Sequence, residues 1–446
     1  MQPVYYQGDY LNPPLAQVHG GSAEDPFGIE RPASLGRGLI ELLYYLCLFN
    51  SAFLYRFGIY QIPYLAGGLV TVSGLLCIAM IAFSNEKFPL TFWVTCVVWM
   101  GANLSQVIGN GQMPIIANGL NLMAFFLCQQ IMVYYICQNK AGRKRLLVFM
   151  AALAIVLIGI SGEEVGSGKV KRLIVTETGG LLANANGAAY VCSFLAVALL
   201  FWSLRAAKIG RPFLWVMAAA LTIITIRTLS RTGLLVLVLG CGLLLLSILS
   251  ARGARIGGLV LLIVAALGAS QLAFTVADSF HLLSERFGGE ERNTASRTDL
   301  YDLRTLSDLL ETTPFGRGAD DAIMTSTGIT AHNTFVYMHM AFGAVTAWPL
   351  IIWQIMLAIR VFRMARASDY PMDTRLMVVA FFGMVLAEYL TNNVTFLEIS
   401  ALYGTAIVEI YTAPYSRRAV ARRASEGGGQ SGDLSLSPYG GPPAYA

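Results

Sequence analysis

The chain has 446 residues, of which 56% are hydrophobic and only 13% charged, and its formal net charge is +5. Soluble domains carry roughly 25% charged residues, so this composition excludes a water-soluble globular protein and predicts a polytopic membrane protein. The seven cysteines, Cys47, Cys77, Cys96, Cys128, Cys137, Cys192 and Cys241, all fall inside apolar runs. That excludes a disulfide framework and a CxxC metal site, and reads as small apolar helix residues.

In chain order, residues 1–37 are polar and rich in Pro and Gly, without the pattern of a cleavable signal peptide. They are expected to form a disordered cytoplasmic tail. Apolar runs follow near 38–55, 62–83, 89–108, 115–137, 146–160, 183–204, 212–226, 233–250, 256–275, 334–359, 376–392 and 396–413. A span needs about 20 helical residues, and the runs at 146–160, 212–226 and 376–392 are short. The expected fold is an all-α polytopic bundle of about 12 transmembrane helices over 38–413.

Orientation follows from the basic residues. With the N-terminus in the cytoplasm, that side receives 20 of the 31 Lys+Arg and the other side 11. The short loop NKAGRKR at 139–145 decides the assignment. Both termini are then cytoplasmic.

Two larger outer segments remain. Residues 161–182 read as a modest loop. Residues 276–333 read as a large one, within which Leu300, Leu303, Leu306, Leu309 and Leu310 recur at helical spacing. Ser296 and Asp299 stand in a capping-box arrangement ahead of them, so an amphipathic surface helix is expected over about 297–311. Residues 414–446 are basic and then Gly/Ser/Pro-rich, the composition of a disordered cytoplasmic tail. No internal repeat is visible.

The chemistry-bearing residues gather on the outer side. Arg227 and Arg231 sit in RTLSRTG between two apolar runs. Spaced i, i+4, they share a face if the helix continues through them. A guanidinium at that level either snorkels to phospholipid headgroups or binds an anion, and a pyrophosphate suits its bidentate fork. Arg172 precedes ANANG at 183–187, where Asn184 and Asn186 are candidates to cap a helix or to hydrogen-bond sugar hydroxyls. Arg297 and Arg304 bracket the expected surface helix.

The loop ends in His332-Asn333, directly before an apolar run. A histidine at a membrane border is a functional candidate, able to hold or accept the proton of a hydroxyl. His339, two turns deeper, reads as packed in the bundle. Glu388 and Glu398 flank YLTNNVTF, and the favoured reading is that they satisfy backbone groups at a short connection. No HExxH, P-loop or Rossmann fingerprint is present.

The order of these motifs along the chain is Arg172, ANANG, TLSRTGLL (228–235), SRTDLY (296–301), PFGRG (314–318) and HNTFVYMHMAFGAV (332–345). It resembles the O-antigen ligase and polysaccharide polymerase superfamily of bacterial envelope glycosyltransferases, over roughly residues 170–350. GGEER at 288–292 and the pair Asp320-Asp321 fall outside the pattern.

The resemblance implies a GT-C-like, inverting, metal-independent glycosyltransferase of the bacterial inner membrane, with no cofactor and with its active site facing the periplasm. Its partners would be an undecaprenyl-diphosphate-linked glycan, a glycan acceptor (a lipid-linked repeat or lipid A-core) and membrane lipids, with no nucleic acid. Arg172, Arg231 and Arg297, with Arg227 beside them and Arg304 nearby, would hold the diphosphate. His332 would orient or deprotonate the acceptor hydroxyl, with Asn333 and Asn186 as sugar-binding candidates and Arg231 also catalytic. Polymerisation of an exopolysaccharide or O-antigen is the first expectation and ligation to lipid A-core the second. A lipid-linked oligosaccharide flippase is the alternative from another class.

Overall fold

A computed structural model of the chain describes residues 35–49, 65–83, 140–165, 172–175, 185–204, 210–250, 314–316, 333–367 and 372–391, together with scattered helical positions between 93 and 137. Helix accounts for 91% of this. The elements are α1 (Leu35–Phe49), α2 (Leu65–Phe83), α3 (Lys140–Ser161), β1 (Gly162–Val165), β2 (Arg172–Val175), α4 (Ala185–Ser203), α5 (Gly210–Arg227), α6 (Arg231–Ser250), α7 (Thr334–Phe342), α8 (Ala344–Arg366) and α9 (Met372–Thr391). Four of them are long and apolar enough to cross a membrane: α4, α5, α6 (over Thr232–Leu249) and α8. The runs at 256–275 and 396–413, most of 89–137, most of the loop 276–333, the surface helix at 297–311 and the tails lie outside the described residues, except that residues 35–37 of the expected N-terminal tail belong to α1.

α4 stands at the centre of the bundle. Of its 19 residues 17 are buried, in a run that mixes Ala, Gly and Ser with Phe, Leu and Val. A helix apolar all round belongs in a core or a membrane. Its small residues let neighbouring backbones come close, the usual way to pack helices where no hydrophobic force separates protein from lipid. On α6, a side chain at Gly233 would collide with Ala189 of α4, and one at Gly240 would come within 2.5 Å of Val197 Cγ2. The two glycines are seven residues apart and so line one face of α6.

Polar groups tie the same interface. The buried Ser193 hydroxyl of α4 shares its proton between the Ala189 carbonyl of its own helix at 2.6 Å and the Gly233 carbonyl of α6 at 2.8 Å, and lies 3.3 Å from Thr225 Oγ1 of α5. α6 and α4 both pack on α9, where Phe381 meets Phe194 with ring centroids 5.3 Å apart.

The outward faces are apolar. On α8, Val345, Trp348, Ile352, Ile355, Ile359 and Phe362 are exposed at three- and four-residue spacing, while Ala347, Leu350, Trp353, Leu357, Val361 and Met364 are buried on the opposite side. A stripe of that size in water would be an anomaly; against lipid it is the ordinary surface of a span. At the start of α5, exposed Phe213 and Trp215 follow Arg211, a composition typical of a membrane–water interface.

Three short runs turn out to be full helices, because their first turns carry charge or proline that hydropathy does not count. α3 begins at Lys140 rather than 146, α5 at Gly210, and α9 at Met372. Arg145 of α3 makes a bidentate pair with Glu41 of α1, at 2.6 and 2.7 Å, and Tyr45 donates to the same carboxylate at 2.6 Å.

Two expectations need correction. Residues 161–182 are not a plain loop: β1 and β2 pair antiparallel, with Glu164 opposite Leu173 and Val165 opposite Arg172. The run 334–359 is not one helix but two, divided at Gly343. Of the described cysteines, Cys47, Cys77, Cys137 and Cys192 are buried within the helices and Cys241 is half-buried.

The crossing of α4 and α6 makes a direct prediction. Gly233→Val should lower the thermal midpoint of the detergent-purified protein, with overpacking costing about 1–3 kcal/mol. Gly242→Ala on the same helix, where nothing lies within 4 Å, should not. Equal behaviour of the two variants would contradict this packing.

Candidate functional site

The hairpin within 161–182 and the turn between Arg227 and Arg231 lie at one end of the bundle. α3 runs directly into β1 there, α4 and α6 begin there, and α5 ends there. The turn between α5 and α6 spans only Thr228-Leu229-Ser230.

Its stop signal is unusual. Leu229 has φ 51°, the left-handed conformation a helix end normally gives to glycine, and its side chain is buried. Packing of the leucine offsets a backbone conformation that disfavours it. The Thr228 hydroxyl donates to the Thr225 carbonyl at 2.6 Å and closes the end of α5. Ser230 then opens α6: its Oγ accepts from Gly233 N at 3.3 Å and its carbonyl from Leu234 N at 3.0 Å. Ser230 is therefore the N-cap.

Arg227 and Arg231 thus do not share a face of one continuous helix. Arg227 is the last residue of α5 and Arg231 the first of α6. The chain reverses between them, so what brings them together is a three-residue turn rather than helical periodicity.

Asn186 does not cap α4. It is the second residue of the helix, and its Oδ1 accepts from the Ser230 hydroxyl at 3.1 Å. This bond holds the N-terminus of α4 against the N-terminus of α6. Each helix start carries a partial positive charge. Arg231 stands at one of these starts, where a cation is disfavoured unless an anion joins it. The convergence makes this end of the bundle attractive to anions.

Arg227 is about half exposed and pairs with Glu164 of β1. Arg172 is the first residue of β2, whose neighbour Leu173 is buried where the hairpin packs on α3, α4 and α5. Arg172, Arg227, Arg231 and Asn186 therefore belong to elements that meet at one end. Arg297, Arg304 and His332 lie outside the described residues, as does Asn184.

Asn333 is the N-cap of α7. Its Oδ1 accepts from Phe335 N at 2.9 Å and Val336 N at 3.2 Å. That oxygen is committed to the backbone. The cap fixes the point at which the chain leaves His332 and enters the bundle. Phe335 stacks on Tyr389 near the end of α9, centroids 5.4 Å apart, so α7 begins beside the last turns of α9.

Two of the sequence motifs meet where α7 and α8 divide. Gly343 has φ 76° and ψ −176°, a region that only glycine enters readily. The turn Pro314-Phe315-Gly316 seats against this break. Val345 N donates to Pro314 O at 3.3 Å, and a side chain at Gly316 would lie 2.6 Å from Ala341 and Gly343 backbone. Ser105 donates to the Phe315 carbonyl. The break at Gly343 lies ten residues, about 15 Å, along the helix from Asn333. PFGRG thus opens well inside the bundle rather than in an outer loop, and protein groups satisfy the backbone that the break exposes.

Glu388 stands in the last turn of α9. It is fully buried within α9, which continues to Thr391, and it lies within electrostatic reach of Tyr190 of α4. A buried carboxylate in a membrane bundle is costly and is a functional candidate by default. The signal in the sequence was the single acid in FFGMVLAEYLT. Glu398 lies outside the described residues.

No model of a known protein family matches the chain, and no curated protein matches it.

Gly343→Ala should unseat the PFG turn, since both its backbone angles and the space beside Pro314 require glycine. Limited proteolysis after Arg317 should accelerate several-fold over wild type. Asn333→Ala should lose a cap worth about 1 kcal/mol, with Asn333→Asp retaining most of it. Unchanged proteolysis and melting in these variants would contradict the geometry.

Proposed function

We propose that the protein is an inverting, metal-independent glycosyltransferase of the bacterial inner membrane, acting at the periplasmic face on undecaprenyl-diphosphate-linked glycans and polymerising repeat units of an exopolysaccharide or O-antigen. It would do so on a GT-C-like bundle of about 12 spans with the large outer loop 276–333. The observation that carries the reading is the convergence of two helix N-termini, joined by Asn186 and Ser230, beside a turn flanked by Arg227 and Arg231.

The motif order in the sequence supports the same reading. So does the separation of charge. Lys140, Arg143, Lys144, Arg145, Arg211, Arg363, Arg366 and Arg375 belong to the helix ends opposite the hairpin, the pattern of a cytoplasmic face.

In this reaction the acceptor hydroxyl oxygen attacks the anomeric carbon as the bond from that carbon to the diphosphate oxygen breaks. The configuration inverts, and the hydroxyl proton passes to His332. Negative charge grows on the departing diphosphate. Arg231, Arg172, Arg227 and Arg297 meet it together with the N–H groups of α4 and α6, which does electrostatically what a divalent ion does in other enzymes. Ligation to lipid A-core uses the same donor chemistry with another acceptor. The interrupted α7–α8 helix favours a second reading, transport of the lipid-linked glycan, because discontinuous spans mark many transporters. Here the interruption is filled by the PFG turn.

Arg231→Ala in purified protein should reduce glycan transfer at least a hundredfold while membrane insertion is retained; wild-type transfer would remove the diphosphate role. His332→Ala should keep donor binding and lose transfer. A chelator should leave wild-type activity unchanged, and strict dependence on a divalent ion would contradict the mechanism.

A further inference from the structure

We propose that Glu164 determines the anion specificity of this site. Its carboxylate occupies the Arg227 guanidinium at rest, so that a diphosphate displaces it and a singly charged phosphodiester headgroup does not. This rests on the reading of the Arg227–Arg231 turn as a diphosphate site.

The contact is built by the fold rather than by a chance meeting of surface side chains. Gly162 lets the chain pass from α3 straight into β1: a side chain there would collide with the Ile158 carbonyl and lie 3.1 Å from Leu173 Cδ1. Leu173, opposite Glu164 in the register, is buried against the bundle and anchors the hairpin. Glu164 is therefore carried to the end of α5 on a fixed two-stranded support. It pairs with a guanidinium 63 residues away in sequence.

The pair is half solvated, with side-chain exposures of 48% for Arg227 and 47% for Glu164. Pairs of this kind contribute about 0–1 kcal/mol, so the carboxylate yields readily and is rehydrated once displaced. What displaces it matters. An outer membrane leaflet carries anionic phosphodiesters such as phosphatidylglycerol, and a bare arginine at that level would bind them, whereas the phosphate of phosphatidylcholine is already offset by its own choline. A phosphodiester brings one charge, no more than Glu164 already supplies. A diphosphate brings more charge and more acceptor oxygens, reaches the guanidinium fork bidentately, and gains from the two helix starts as well. Glu164 therefore acts as a threshold that only the stronger anion crosses.

The test uses the full chain in phosphatidylcholine nanodiscs, titrated with inorganic pyrophosphate, with and without phosphatidylglycerol. Glu164→Gln should bind pyrophosphate about two- to five-fold more tightly than wild type in phosphatidylcholine. That gain should disappear as phosphatidylglycerol is added, because its headgroups now take Arg227. Glu163→Gln removes the same charge one residue away and should give neither effect. In an Arg227→Ala background, Glu164→Gln should change nothing. A Glu164→Gln gain that persists in phosphatidylglycerol, an equal gain from Glu163→Gln, or no gain at all overturns the proposal while leaving the diphosphate site standing. Unchanged pyrophosphate binding by Arg227→Ala alone would remove the site itself, and the proposal with it.

Discussion

The close crossing of α4 and α6 is the contact on which the rest of the described structure depends. Gly233 and Gly240 admit Ala189 and Val197 to backbone distance, and the Ser193 hydroxyl bridges the same seam to the Gly233 carbonyl. Inside a membrane, apolar side chains gain little from meeting one another rather than lipid. Close packing and buried hydrogen bonds have to hold the helices instead. With α4 enclosed on all sides, α5, α6 and α9 take their positions from it.

That constraint reaches the candidate site through a short chain of contacts. The seam between α4 and α6 continues outward to the bond from Ser230 to Asn186, which sets two helix starts side by side. The buried Leu229, in its left-handed conformation, makes the reversal tight enough to keep Arg227 and Arg231 at its two ends. From the other side, α9 carries Glu388 toward Tyr190 and stacks Tyr389 on Phe335, two residues after the Asn333 cap. The site is thus framed by packed helices, although its sequence signals read as loops. Rigid framing of this kind suits a reaction whose catalysis is electrostatic, because fixed donors need no reorganisation as charge develops.

Much of this was legible in the sequence. Hydropathy located the four described helices that are long and apolar enough to cross a membrane. It failed at helix ends: Lys140, Arg211 and Asp373 are polar residues of helical turns at the bundle's edge, which hydropathy counts as loop. The pair Arg227 and Arg231 was recognisable, but its geometry was misjudged. A helix stop made by leucine, with neither Gly nor Pro, carries no local signature. The hairpin was missed because four-residue strands such as GEEV have too few residues to show alternation. PFGRG and HNTFVYMHMAFGAV each stood out separately, and their union could not be foreseen. Only the backbone angles of Gly316 and Gly343, and the seat each offers the other, bring them together.

The central claim is that this end of the bundle transfers glycans from a lipid diphosphate outside the cytoplasm. The most direct measurement is of the lipid-linked glycan that accumulates when the gene is deleted, with its leaflet determined. Single repeat units on the undecaprenyl carrier at the periplasmic face are the expected result. Repeats confined to the cytoplasmic face would contradict it and establish transport instead.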